Sequence, residues 1–151
     1  MANEAMGAAG EPLGLVAQRF AHGDEFFGWL AGGRIRSFGW VTYQDRALGP
    51  IQLAEASGRA FLYNFYTLEG YRGQRLYPAL LLAMRHVLGQ ENVTEFVIDV
   101  DVHNTASARG IAKGGFVLAG QVAFLTIFSR WRCLGRRTVC ERTTSSLFRT
   151  V

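Results

Sequence analysis

The chain has 151 residues, 49% hydrophobic and 19% charged, with a formal net charge of +4. That length suits one domain large enough to bury a core, and the composition excludes a disordered chain. No apolar run approaches the roughly 20 residues that a bilayer-spanning helix needs, which argues against a membrane partner.

The start, Met1-Ala2-Asn3-Glu4, lacks the basic and long apolar stretches of a signal peptide. Cys133 and Cys140 have no metal-ligand spacing, so no metal is expected. The expectation is a cytoplasmic protein with reduced thiols. Most of the positive charge sits late: Arg130, Arg132, Arg136, Arg137, Arg142 and Arg149 face only Glu141. Such a tail can contact nucleic acid or a membrane surface. No aromatic stacking ladder accompanies the charge from Arg136 to Arg149, so solvated arginines, helping to hold an anionic cofactor, are preferred and no nucleic acid is expected.

In chain order, residues 1–22 are rich in Gly and Ala. A short helix is expected around Leu13 to Phe20, with the first dozen residues loose. Glu25 to Ala31 and Arg34 to Tyr43 are strand-like, and Gly32-Gly33 between them is a two-residue hairpin turn. Asp45 to Gly58, with Gly49-Pro50, reads as a loop. Residues 60–67 are aromatic and β-branched and form a strand. A turn with Gly73 leads into a helix over 77–89, with Pro78 in its first turn, where the missing N–H costs nothing. Leu76, Leu80, Leu81, Met84, Val87 and Leu88 recur at helical spacing as its core face, and Gly89 is its stop.

A strand that feeds a tight turn into a helix N-terminus leaves several backbone N–H groups aimed at one spot. That is an anion site, suited to phosphate or pyrophosphate. The next strand, 95–102, alternates: Phe96, Ile98, Val100 and Val102 on one face, and Val97, Asp99, Asp101 and then His103 on the other. Such a row near a strand end can do acid–base work, or be satisfied by solvent or by Arg109. Asn104 or Thr105 caps a helix over 105–114. Gly114-Gly115 ends that helix, and a last strand runs from Phe116 to Phe128. The domain is expected over 23–142, after a loose or short helical segment at 1–22 and before a basic tail at 143–151.

These residues resemble the GNAT acyltransferase superfamily, whose members move acyl groups from acyl-CoA to an acceptor, usually an amine. Its pyrophosphate loop, R/Q-x-x-G-x-G/A, aligns with Arg72-Gly73-Gln74-Arg75-Leu76-Tyr77. Its later signature aligns with Asn104, Ser107 and Lys113-Gly114-Gly115-Phe116. The resemblance covers residues 25 to 128. It implies a mixed α+β fold: a central, mostly antiparallel sheet whose parallel central strands splay apart, flanked by helices, with a shortened N-terminal helical region.

The resemblance further implies acetyl-CoA as cosubstrate and a small-molecule amine, such as an amino sugar or amino acid, as acceptor; a homodimer is left open. Phe65, Tyr66 and Thr67 would meet the pantetheine and the thioester carbonyl. Arg72, Gly73, Gln74, Arg75, Leu76 and Tyr77 would hold the pyrophosphate, and Asn104 and Ser107 the pantetheine arm. Three departures stand out. Arg75 and Tyr77 occupy the loop's glycine positions, and Ile111 stands where many members carry a tyrosine that protonates the leaving thiolate. The segment before the hairpin is also short for the two helices that usually cover the acceptor. Asp101 or His103 is the expected base, ahead of Glu69, and Tyr66 the substitute acid. The departures leave a rival reading, a non-catalytic acyl-CoA-binding or interaction module.

Overall fold

The computed structural model describes residues 1–48, 51–127, 130–138 and 148–150, with the backbone alone at residues 13, 48 and 51 and from residue 122 onward. Ala2–Ala8 forms helix α1 and Leu13–Ala21 forms helix α2. The expectation of a loose first dozen is thereby corrected. Alanine is the strongest helix former, and Ala5 and Met6 give α1 a fully apolar patch, 5% and 0% exposed. That patch packs with Val16 of α2 against Ile35, Phe38 and Trp40, and Trp40 Nε1 donates to Met6 Sδ at 3.4 Å. Burying a methionine completely contributes about 1.5–3 kcal/mol. Short as the segment is, it supplies two helices that cover one face of the sheet.

Strands β1 (Glu25–Ala31) and β2 (Arg34–Thr42) form the expected hairpin. Gly32 and Gly33 turn it with φ of +58° and +72°, the left-handed pair that matches strand twist. The segment read as a loop contains a small hairpin of its own, β3 (Arg46–Leu48) and β4 (Ile51–Leu53). Strand β5 (Arg59–Thr67) pairs antiparallel with β2 and parallel with β6 (Glu95–Ile98). Between them in sequence, helix α3 (Leu76–Gln90) lays Leu80, Leu81, Met84 and Leu88 on the sheet's other face. Two details of α3 differ from expectation. Val87 is 42% exposed, and Gly89 lies inside the helix, which ends where Asn92 turns left-handed at φ +67°.

Helix α4 (Thr105–Lys113) follows, then β7 (Phe116–Leu118) and β8 (Gly120–Ile127). The single strand expected over 116–128 is thus two, broken at Ala119, which is buried with Phe61 and Val97; Phe128 lies outside the described residues. β8 pairs with β9 (Arg130–Thr138) in a separate two-stranded sheet. β10 (Phe148–Thr150) enters the main sheet, whose order is β1-β2-β5-β6-β10-β7, so the end of the expected tail is a strand. The fold is the expected α+β architecture, with β5 and β6 as the parallel central pair. The arginine side chains of the tail, Cys133 and Cys140 lie outside the described side chains.

Candidate functional site

The site begins where the parallel pair comes apart. β5 and β6 stay in register from Arg59↔Glu95 to Leu62↔Ile98, and there the pairing stops while β5 runs on to Thr67. A bulge redirects β5 at this point: Phe38 faces Tyr66 and Trp40 faces Tyr63, so Asn64 and Phe65 together oppose Gly39. Asn64 adopts φ +51°, and the Phe65 ring fills the space a side chain at 39 would need, 2.2 Å from a Cβ built there. Bulges aim backbone and side chains at sites, and among the described residues β5 has no strand partner on its β6 side beyond Leu62.

The chain continues through a 3₁₀ turn at Glu69–Tyr71 into the phosphate-type loop. Gly73 has φ +78° and Arg75 φ +60°. Arg75 therefore takes the left-handed conformation that suits glycine, at a cost of about 1–2 kcal/mol, and caps α3. Among the described residues, the backbone N–H groups from Gly73 to Tyr77 have no backbone acceptor. They sit at the positive end of a helix of 15 residues.

The loop, the bulge, the first turn of α3 and one side of α4 line a groove of about 640 Å³. Arg72, Arg75, Arg109 and Lys113 line it, and none of its described lining residues is acidic. Arg72 Nε donates to the Thr67 carbonyl at 3.2 Å, its other end meets Glu69 at 3.4 Å, and its guanidinium lies 5.5 Å from the Tyr66 ring centre. Of the expected cofactor residues, Phe65, Tyr66, Thr67, Arg72, Gly73, Arg75, Leu76, Tyr77, Asn104 and Ser107 all line the groove. Gln74 turns away, its amide donating to the Gly70 carbonyl at 3.4 Å. Sequence reasoning missed Arg109 and Lys113 as groove residues. Their signal was the spacing of four on one helix, which places both cations on one face.

Tyr77 packs between β5 and α4 in the wall of the groove. Its ring lies 5.1 Å from that of Phe65, and its hydroxyl is 3.3 Å from Ser107 Oγ. Gly110 of α4 makes room for it. Burial pushes the phenol up to about 12, against the Ser107 hydrogen bond and with the charge of Asp99. Ile111 is fully buried in the core, out of the groove.

Asn104 caps α4 as expected, its Oδ1 accepting from Ser107 N at 3.0 Å. The row Asp99, Asp101, His103 does not share a strand face, because β6 ends at Ile98. Asp101 Oδ1 accepts from the His103 N–H at 2.7 Å and its carbonyl from the Asn104 N–H at 2.9 Å. With no neighbouring strand left to pair with, this local turn wins over extended backbone. Asp99 contacts Arg46 instead, at 3.8 Å. Asp101 and His103 are exposed and do not line the groove; Tyr66 does.

On the opposite face of β5 lies a second polar cluster that sequence reasoning did not find. Asp24 is buried and accepts from the Tyr63 hydroxyl and from His22 Nδ1, the latter at 3.2 Å. Burial alone would raise its carboxyl, but hydrogen bonds from Tyr63, Thr42 and His22, with the charge of His22, hold it below the ordinary value. Tyr63 is pushed up by burial and by Asp24, and its ring packs 5.2 Å from Arg19 and 4.4 Å from Arg46. Among the described residues, no group of three or more His, Cys, Asp or Glu converges on a metal site, and no helix is long and apolar enough to cross a membrane.

The acetyltransferase (GNAT) family model matches residues 4–116. No curated protein matches the chain. Among solved structures, the PaiA N-acetyltransferase of Thermoplasma acidophilum in complex with coenzyme A is similar at 14% identity and TM-score 0.56, over 91% of this chain and 67% of that one. The aminoglycoside acetyltransferase AAC(6')-Ib, in complex with coenzyme A and kanamycin, is similar at 13% identity and TM-score 0.60, over 92% and 76%. The ribosomal-protein-S18-alanine N-acetyltransferase of Escherichia coli is similar at 16% and TM-score 0.60, over 92% and 76%. At these identities the likeness is one of fold.

Proposed function

The chain belongs to the acetyltransferase (GNAT) family, whose activity is acyl-CoA-dependent N-acetylation, and we propose that it moves an acetyl group from acetyl-CoA to the amine of a small molecule such as an amino sugar or amino acid. The observation that carries this reading is the cationic groove between the end of β5, the start of α3 and α4, with the free N–H groups of the Gly73–Tyr77 loop at its edge. A pyrophosphate is satisfied there by backbone donors, the α3 dipole and the Arg75 charge together. Asn104 and Ser107 lie along the groove wall for the pantetheine. The thioester carbonyl would meet the unpaired backbone N–H groups beyond the β5 bulge, near Phe65 and Tyr66, which polarise it as charge develops on oxygen.

An amine attacks only when neutral, and its proton must leave. Neither expected base lines the groove, and the Asp101 carboxylate is engaged in its turn, so of the two His103 would take that proton, and only through water. AAC(6')-Ib was crystallised with kanamycin, an amine-bearing small molecule; this supports the acceptor class and does not fix its identity. The test is twofold. Acetyl-CoA should raise the melting temperature by an amount that grows with its concentration, and free thiol should appear with at least one amine of a panel. No shift at millimolar acetyl-CoA sinks the reading. A shift without thiol release from any amine supports an acyl-CoA-binding module instead.

A further inference from the structure

Leu62 and Ile98 are the last pair before β5 and β6 come apart, so Tyr63 and Asp99 are the first residues beyond the fork on either side. Arg46, from the β3–β4 hairpin, touches both. Its guanidinium carbon lies 4.4 Å from the Tyr63 ring centre, and its Nη2 lies 3.8 Å from Asp99 Oδ1. Arg46 therefore spans the fork on the face of β5 opposite the groove. The charge of Asp99 also reaches the Tyr77 phenol on the groove side, so this carboxylate stands in the opening between the two faces. With the cofactor in the groove, the Arg46 side is the one left for an acceptor.

The cations on that side are short of acceptors. Arg46 Nε is buried with no hydrogen-bond partner among the described residues, and 3.8 Å to Asp99 is too long for a hydrogen bond. The Arg46 and Asp99 side chains are nevertheless 26% and 36% exposed, so a small ligand reaches both. Arg19 lies 5.2 Å from the same tyrosine ring. Among the described residues it has no ion pair; the Asn64 amide, turned to present its oxygen, accepts from it at 2.7 and 2.9 Å. The buried carboxylate of Asp24 is already taken by Tyr63 and His22.

We propose that the acceptor is a free α-amino acid, its carboxylate held by Arg46 and its nitrogen beside Asp99 in the opening of the fork. This rests on the acetyl-transfer reading above and narrows its acceptor. An α-amino acid carries its negative and positive groups on neighbouring atoms of one carbon frame, which suits a cation and an anion standing side by side. Entering between them, it replaces one long ion pair with charge-assisted hydrogen bonds at both ends. A phosphate would face Asp99 with like charge. An amino sugar leaves Arg46 without an acceptor and brings its further ammonium groups toward Arg46 and Arg19. A peptide N-terminus has an amide where the carboxylate is needed.

The experiment follows thiol release from acetyl-CoA with the protein amino acids, their carboxamides and kanamycin, for wild type and Arg46→Gln. Wild type should acetylate at least one free amino acid and favour it over its own carboxamide by about tenfold or more in kcat/KM, since the carboxamide leaves the arginine without its charged partner. The carboxamide has the less basic amine, more of it neutral, so this preference cannot come from amine reactivity. Arg46→Gln should lower kcat/KM for the free acid by about tenfold to a hundredfold, mostly through KM, and leave the carboxamide within about threefold. The rise in melting temperature caused by acetyl-CoA should persist in the variant, which reports both folding and cofactor binding. Wild type that uses carboxamides or kanamycin as well as free amino acids overturns the assignment with no variant needed, and so does an equal loss for acid and carboxamide in Arg46→Gln; acetyl transfer stands in both cases. Wild type that binds acetyl-CoA yet releases no thiol with any amine overturns the transfer reading itself, and the acceptor assignment falls with it.

Discussion

Gly110 lies flat against the ring of Tyr77: a Cβ built at position 110 would stand 2.5 Å from Tyr77 Cδ1 and 2.8 Å from Cε1. The contact joins α3 to α4 across the wall of the groove, and both backbones are held by their own helical hydrogen bonds.

Gly110→Ala is therefore expected to destabilise the protein by about 1–3 kcal/mol, the usual range for forcing extra atoms into a packed site. Alanine is the better helix former, so the backbone effect alone would favour the variant by about 1 kcal/mol; the sign of the result decides between packing and propensity. Displacing the Tyr77 ring also narrows the groove, so the acetyl-CoA-induced rise in melting temperature should shrink. In a Tyr77→Ala background the added cost of Gly110→Ala should largely vanish, since the two residues touch and their effects are not additive. A Gly110→Ala variant as stable as wild type, with undiminished response to acetyl-CoA, contradicts the contact.

Arg109 and Lys113 stand one helical turn apart on α4 and both line the groove. CoA carries a 3′-phosphate that dephospho-CoA lacks, and a doubly charged group near two exposed cations gains a screened attraction. Arg109→Gln with Lys113→Gln is expected to weaken CoA binding about three- to tenfold at low salt, an energy of the order of an exposed ion pair. Dephospho-CoA binding should stay within twofold. Titrations of both ligands at two salt concentrations check this. Equal losses for the two ligands would place these cations elsewhere along the cofactor.

Much of this site could be read from residue order, and the exceptions have physical causes. The strand at 60–67, the Gly73 turn and the Asn104 cap are local patterns, and each has its side-chain or φ reason in the structure. Arg75 departs from the glycine pattern, yet it takes the glycine conformation at φ +60°. Residue type gives the preference for a backbone state, while the surrounding turn decides it. The Asp99–Asp101–His103 face failed because alternation describes a strand only while a neighbour pairs with it. Once β5 bulges away, Asp101 bonds the chain two residues on. The cluster of Asp24, Tyr63 and His22 joins residues 39 apart and nothing in local spacing announces it. Likewise α1 reads as loose by composition, and only the pocket formed by Trp40 and Phe38 gives Met6 a reason to be ordered.

That buried cluster makes a prediction about acid. In the folded protein the Asp24 carboxyl titrates below its ordinary value of 3.8, because donors and the His22 charge outweigh its burial. As pH falls, the unfolded chain therefore takes up the Asp24 proton before the folded chain does. The unfolded state binds more protons in that window, so stability declines with falling pH. The contribution is fully present above the ordinary carboxylate value and is lost as pH drops through the lower folded value. Asp24→Asn should cost about 1–3 kcal/mol at pH 7, the penalty of disturbing donors left in a buried site. It should also flatten the dependence of stability on pH below about pH 4, where the wild-type carboxylate would be titrating. Urea denaturation of both proteins from pH 3 to 7 measures the two effects together. Parallel curves, with the same difference at every pH, would mean that Asp24 is not held in its charged form by Tyr63 and His22.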